Sequence, residues 1–316
     1  MTDDAAARGR ALAAEARAGS RRALARLLTL IEARSPAAEA ALRDLYPHAA
    51  DAHLVGVTGA PGAGKSTLVA ALAGAVRASG RPVAVLAIDP SSPITGGAIL
   101  GDRVRMQEHA GDPDVFIRSM AARGHLGGLA TATVDAAAAL AACGFPLVCI
   151  ETVGTGQSEV EIASVADTTL VVQAPEMGDE VQAIKAGLLE VADIVAVTKG
   201  DRPGADLAAA HLRAMLTVGA QHDRAAGDRP RPRRPEVLLV SGTAGTGIAE
   251  LLAALDRRDA DRRAAQAAGD PAAAAARTAR AAAQGAGNRA ARHPERLPAP
   301  APRAATDAAI AAGAAP

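Results

Sequence analysis

The sequence predicts an α/β fold with a mainly parallel sheet covered by helices. Two observations carry this reading. Short apolar runs alternate with helix-period stretches through the middle of the chain, the pattern of strands joined by crossover helices. The stretch Gly59-Ala60-Pro61-Gly62-Ala63-Gly64-Lys65-Ser66 also matches G-x-x-x-x-G-K-[ST] at every fixed position, with an apolar run before it and a helical one after. A sheet of this kind binds its ligand at the carboxyl ends of its strands.

Residues 1–50 read as a helical segment. Ala5 to Ala18 is rich in Ala and Arg, with good helix propensity. Gly19-Ser20 interrupts it, and Ser20 is placed to cap a second helix whose apolar face is Leu24, Leu27, Leu28 and Ile31. Ser35-Pro36 opens a third, with Pro in its first turn. These helices are expected to pack on the domain that follows, with their arginines as a solvated face.

Residues 51–256 read as the nucleotide domain. Strands are expected at Leu54–Val57, Pro82–Ile88, Pro146–Ile150, Thr168–Val172, Ile194–Val197 and Glu236–Val240. Helices are expected at Thr67–Val76, Leu126–Ala142, Val181–Val191, Ala205–Leu216 and Ile248–Leu255. In the loop itself, Gly59, Gly62 and Gly64 let the backbone wrap phosphate oxygens with no Cβ in the way. Their amides and the following helix N-terminus supply partial positive charge, and Ala60, Pro61, Ala63 and Thr67 complete the cradle. Lys65 adds a full charge for the β- and γ-phosphates, and Ser66 offers a hydroxyl to Mg²⁺.

Carboxylates close two of the strands. Asp89 follows Ile88, and Glu151 follows Ile150. A strand-end carboxylate beside a phosphate loop is where Mg²⁺ is held, and a helix-capping acid is the plainer alternative. Gly154 follows Glu151 at the spacing of a D-x-x-G element, with Glu in place of Asp, and its amide is placed to sense a γ-phosphate. Gln157 is a candidate for orienting the attacking water. The Gly-, Ser- and Pro-rich stretch from Pro90 to Arg105 reads as a loop near the nucleotide, with Asp102 able to approach the metal. Arg118 to Gly128 reads as a second such loop, with His125 structural or a partner contact rather than a metal ligand.

Base specificity is read from Thr198-Lys199-Gly200-Asp201, an [NT]-K-x-D element directly after a strand. The Asp201 carboxylate can accept from both guanine N1–H and the exocyclic amine, whereas adenine would turn a lone pair toward it. The Lys199 stem can lie over the base. Ser241-Gly242-Thr243 follows the last strand, where a short loop meets guanine O6. The order of these elements predicts a GTP/GDP site.

Five stretches carry a family resemblance: Gly56–Leu68, Ile88–Met106, Glu151–Ser158 with Glu159, Gly178–Gly187 and Thr198–Asp201. Together they resemble the MeaB/ArgK/MMAA family of GTPases over about residues 10 to 255. The resemblance implies a SIMIBI-class P-loop fold, a homodimer, and GTP hydrolysis coupled to cofactor loading and protection of an adenosylcobalamin-dependent acyl-CoA mutase of the methylmalonyl-CoA mutase type. It implies Mg²⁺ held among Ser66, Asp89, Asp102 and Glu151, catalysis through Lys65, Asp89 and Glu151, and a partner-responsive switch containing Lys185. Gly200 departs from the usual Ala of the guanine motif. The tail, residues 257–316, departs further: it is rich in Ala, carries a Pro-Ala-Pro-Ala-Pro run at Pro298–Pro302, and reads as partial helix followed by disorder.

Composition narrows the remaining classes. Lys+Arg and Asp+Glu are both 34 and aromatics are 1%, which argues against nucleic-acid and anionic-membrane partners and leaves no base-stacking platform. Cys143 and Cys149 read as structural core residues. The amino terminus lacks a signal pattern, no long apolar run appears, and a soluble cytoplasmic protein is expected. Asp201 argues against a small-molecule kinase on the same loop. Absent Cys- or His-rich motifs argue against a metal-delivery GTPase. A non-catalytic binding switch is left to a turnover assay.

Overall fold

A computed structural model describes residues 2–49, 52–90, 109, 111–122, 128–152, 158–175, 188–222 and 235–270. Seven strands form one sheet: β1 (His53–Thr58), β2 (Val83–Pro90), β3 (Val115–Ala122), β4 (Leu147–Thr152), β5 (Thr168–Gln173), β6 (Ile194–Val197) and β7 (Glu236–Leu239). Their order is β3-β2-β4-β1-β5-β6-β7, and every pair is parallel. The expected α/β sheet is therefore present, with one strand more than the sequence pattern showed. β3 lies where a loop was expected from Arg118 onward. Arg118 and Ser119 interrupt its apolar run, which an edge strand tolerates because only one side of it is paired.

The helices are α1 (Thr2–Arg17), α2 (Arg21–Glu32), α3 (Pro36–Leu45), α4 (Lys65–Ala78), α5 (Gly128–Ala142), α6 (Ser158–Val165), α7 (Ala205–His222) and α8 (Ile248–Ala267). The Ser20 cap forms as expected, with Ala23 N–H donating to Ser20 Oγ at 3.2 Å, and Ser35 caps α3 in the same way, accepting from Ala38 N–H at 3.2 Å. α6 was not anticipated, because its eight residues are too few to show a helical period. Of the helix expected at Val181–Val191, residues 188–191 are described: 188–190 are helical, and Val191 already lies in a bend beyond the helix end. α8 runs unbroken past the boundary expected near residue 256.

Strand alternation sorts the core into two layers. Val55, Val57, Val83, Val85, Leu147, Cys149, Leu170 and Val172 pack on one face with Leu68, Leu72 and Val76 of α4 and Leu251 and Leu255 of α8. Ala84, Leu86, Ile88, Val148 and Ile150 pack on the other with Leu27 and Leu28 of α2 and Leu140 of α5. Each fully buried leucine contributes about 1.5–3 kcal/mol. Val195 and Val197 meet Ala209 and Leu212 of α7. With so few aromatics, close helix approach substitutes for bulk. A Cβ at Gly56 would lie 2.7 Å from Ile162 Cγ1 of α6.

The amino-terminal helices hold the β3 edge of the sheet. Arg21 donates to the carbonyls of Asp112 (3.1 Å), Pro113 (2.5 Å) and Val115 (2.6 Å) and lies over the Phe116 ring at 5.5 Å. It is thus a clamp, and corrects the expectation that these arginines only face solvent. Arg8, Arg10, Arg17, Arg22 and Arg26 are exposed as expected. At the far end of α2, Glu32 accepts from Ala121 N–H and Arg118 Nη2, both at 3.0 Å. Among the described residues, no helix is long and apolar enough to cross a membrane.

Candidate functional site

The phosphate loop leaves the end of β1 and enters α4. Gly59, Gly62 and Gly64 have φ of 141°, 76° and 91°, values that favour glycine. At Gly59 space is decisive as well, since a Cβ there would lie 2.1 Å from Val172 O of β5. Gly64 is the N-cap of α4 and brings no side-chain cap, so the first-turn amides are presented to whatever anion the loop encloses. Lys65 is buried and folds back across the loop, donating to Gly59 O at 2.7 Å and Ala60 O at 3.0 Å.

Beside the loop, Ser66 Oγ donates to Glu151 Oε1 at 2.6 Å. Glu151 sits in β4, in register with Val57 of β1 and Ala87 of β2. Asp89 lies two residues beyond Ala87, so its side chain leaves the same face. All three groups are buried. Among the described residues, no hydrogen bond reaches Asp89 Oδ2 or Glu151 Oε2. Nor does any cluster of three His, Cys, Asp or Glu side chains form there, so the oxygen set is two carboxylates and one hydroxyl. Cys149 is fully buried two residues before Glu151. Burial, and then the Glu151 charge, pushes its thiol up to about 12. Burial pushes Cys143 up to about 11. Cys149 is a core thiol as expected, and Cys143 packs, partly buried, against the core. Asp102, Gly154, Gln157, His125 and Lys185, and the stretches Ser91–Gly101 and Gly178–Gly187, lie outside the described residues.

The base corner is tied to the phosphate corner. Thr198 Oγ1 donates to Ala63 O at 2.5 Å, and Thr198 N–H bonds Gln173 O at 2.8 Å. Lys199 adopts φ 52°, a left-handed conformation that turns the chain abruptly out of β6. Gly200 N–H bonds Val240 O at 2.9 Å. A Cβ at Gly200 would lie 3.0 Å from Leu239 Cγ and 3.1 Å from Val240 O, which fits a glycine where an alanine is usual. Ser241 Oγ donates to Asp201 Oδ1 at 2.5 Å. That hydroxyl, followed by Asp201's own backbone amide, holds the Asp201 carboxyl below the usual carboxylate range. Ser241 is itself fixed: its N–H bonds Thr246 O at 2.8 Å, and its Oγ accepts from Ala244 N–H at 3.2 Å. Thr243 Oγ1 lies 3.2 Å from Ser241 Oγ. A Cβ on Gly242 would lie 2.9 Å from Thr67 O, so this loop packs on the first turn of α4.

The structure therefore joins the phosphate loop, Ser66 with Glu151, and Thr198–Asp201 with Ser241–Thr243 at one end of the sheet. Two links escaped the sequence reading: the Thr198 bond to the phosphate loop and the Ser241 bond to Asp201. The first joins residues 135 positions apart and the second residues 40 positions apart, and only the hydroxyl-bearing residue types hinted at them.

Comparison with known proteins agrees with this geometry. The family described as methylmalonyl Co-A mutase-associated GTPase MeaB matches residues 24–291. A Pyrococcus horikoshii protein named as a GTPase is 49% identical over 233 residues, covering 74% of this chain and 72% of that protein. The GTPase ArgK of Escherichia coli is 43% identical over 58% of this chain and 57% of its own length. Among solved structures, one titled as a LAO/AO transport system kinase superposes with a TM-score of 0.67 at 26% identity, covering 92% of this chain and 84% of that one. The P-loop fold and the GTP/GDP site expected from the motifs accord with these relatives. This chain belongs to the MeaB family of methylmalonyl-CoA mutase-associated GTPases.

Proposed function

We propose that this GTPase acts as a chaperone of an adenosylcobalamin-dependent acyl-CoA mutase, coupling GTP hydrolysis to cofactor loading and protection, and that it works as a homodimer. The mutase reading is supported by the family description, which names methylmalonyl-CoA mutase. The nucleotide reading is supported above all by one observation: the loop that would read the base and the loop that would hold the phosphates are joined by the bond from Thr198 to Ala63.

The reaction is attack of water on the γ-phosphorus of GTP, giving GDP and phosphate. Gly59 through Thr67 enclose the phosphates, with backbone amides aimed inward. Lys65 moves its ammonium from the carbonyls of Gly59 and Ala60 onto the β- and γ-phosphate oxygens, where it stabilises charge in the transition state. Asp201 accepts from guanine N1–H and the exocyclic amine, with Ser241 holding the carboxylate in place. A buried hydroxyl and two carboxylates at adjacent strand ends are hard oxygen donors, which fits Mg²⁺. Ser66, Asp89 and Glu151 would hold it, and it would supply charge neutralisation at the β- and γ-phosphates. Ser66 would release Glu151 to take up this role. The pairing with a mutase is tested by GTP-dependent co-elution of the two full-length proteins, and elution as separate species in every nucleotide state contradicts it.

A further inference from the structure

We infer that Ser119 of β3 is a positioning residue for the metal site: its hydroxyl accepts a hydrogen bond from water in the shell of a divalent cation held by Ser66, Asp89 and Glu151. The inference rests on the proposed nucleotide site and extends it to an edge strand that carries no nucleotide motif.

Register places Ser119 there. Ser119 pairs with Ala87 of β2, and Ala87 pairs on its other side with Glu151 of β4. The three residues form one cross-strand row. Alternation puts Ser119 on the α4 face: Val115 and Ile117 pack into the α4-side core, while Arg118 between Ile117 and Ser119 reaches across the opposite face to Glu32. Ser119 and Glu151 thus project in the same direction across a residue whose side chain is one methyl group. Two strand spacings separate them by about 10 Å, a gap that an octahedral ion with ligands at about 2.1 Å crosses through its waters. Asp89, two residues along β2 from Ala87, rises from the same face.

The hydroxyl itself supplies the second observation. Ser119 Oγ is a buried atom with no hydrogen-bond partner. A buried hydroxyl left in this state is destabilising, and an alanine would avoid the cost. A bound ion changes the balance. Mg²⁺ retains several of its waters, those waters are strong donors, and outer-shell acceptors orient them and raise metal affinity. The adjacent carboxylates make this face the place where such a cation would sit.

The test uses the full chain and a fluorescent GDP analogue, and reads the Mg²⁺ concentration that half-saturates the metal-dependent tightening of GDP binding. Ser119→Ala is expected to raise that concentration by about tenfold. Ser119→Thr, which keeps the hydroxyl and suits a strand, is expected to restore it. The thermal midpoint of the nucleotide-free protein is expected to be unchanged in Ser119→Thr and unchanged or raised in Ser119→Ala. A Ser119→Ala protein with wild-type Mg²⁺ dependence overturns the inference and leaves the nucleotide site standing. A loss of thermal stability in Ser119→Ala with unchanged Mg²⁺ dependence also overturns it. A wild type whose GDP affinity does not respond to Mg²⁺ overturns both the inference and the proposed metal site.

Discussion

Thr198 Oγ1 lies 2.5 Å from the carbonyl oxygen of Ala63, so the first residue of the guanine motif holds the phosphate loop directly. The two loops come from opposite halves of the chain, and in the proposed nucleotide site this bond would set the distance between base and phosphates before nucleotide arrives. Preorganisation of this kind lowers the ordering cost of binding.

Thr198→Val keeps the shape and removes the donor. The buried Ala63 carbonyl then loses its partner, at a cost of about 1–3 kcal/mol. GTP and GDP affinities should fall by about fivefold or more. Calorimetric titration measures this, and unchanged affinities would show that the tether does not organise the site.

Asp201→Asn should weaken GTP binding and strengthen binding of xanthosine triphosphate, because xanthine carries a carbonyl where guanine has its amine. Ser241 already donates to Asp201 Oδ1, which would hold the carboxylate in place for the base in the proposed site. Competition between the two nucleotides reads the swap. Equal binding of ATP and GTP by the wild type would contradict the role given to Asp201.

Tyr46 and Asp135 form a mostly buried pair in which the phenol donates to the carboxylate, tying the turn after α3 to α5. Burial raises the Asp135 pKa against the lowering effects of the Tyr46 hydrogen bond and of Arg34. The sign follows from proton linkage. Between the unfolded and the raised folded pKa the native state binds more protons, so stability falls as pH rises through that window. Above it the full penalty of the ionised carboxylate persists. Asp135→Asn should abolish this dependence while keeping an acceptor for Tyr46. Tyr46→Phe should cost about 1–3 kcal/mol and steepen the loss with pH. Thermal unfolding as a function of pH separates the three proteins; parallel curves for wild type and Asp135→Asn would refute the assignment.

Arg258 donates to Asp193 Oδ1 at 2.6 Å and Asp193 O at 2.7 Å, pinning α8 to the start of β6. Arg258→Ala should destabilise the fold by about 1.5–3 kcal/mol. Deleting residues 271–316 spares this anchor and all of α8, and should leave GTP binding and thermal stability almost unchanged. Denaturant unfolding of both variants checks the contrast. A dimer that becomes monomeric on this truncation would show that the tail is an ordered arm.

Much of the fold was legible because its signals are local. Loop glycines, strand-end carboxylates and helix caps depend on near neighbours in the chain, and the six apolar strands stood out by period. β3 was missed because Arg118 and Ser119 break its apolar run, and the partner that accommodates Arg118 is Glu32, distant in sequence. Arg21 looked like one exposed arginine among several until β3 brought three carbonyls to it. The links among the site loops, Thr198 to Ala63 and Ser241 to Asp201, were hidden for the same reason: they exist only once the strand order is known.

GTP turnover by the full-length protein, with and without purified methylmalonyl-CoA mutase and with ATP as control, tests the central claim most directly. Slow hydrolysis of GTP but not ATP, accelerated when the mutase is added, is the predicted result. A rate indifferent to the mutase, or equal turnover of ATP, would contradict it.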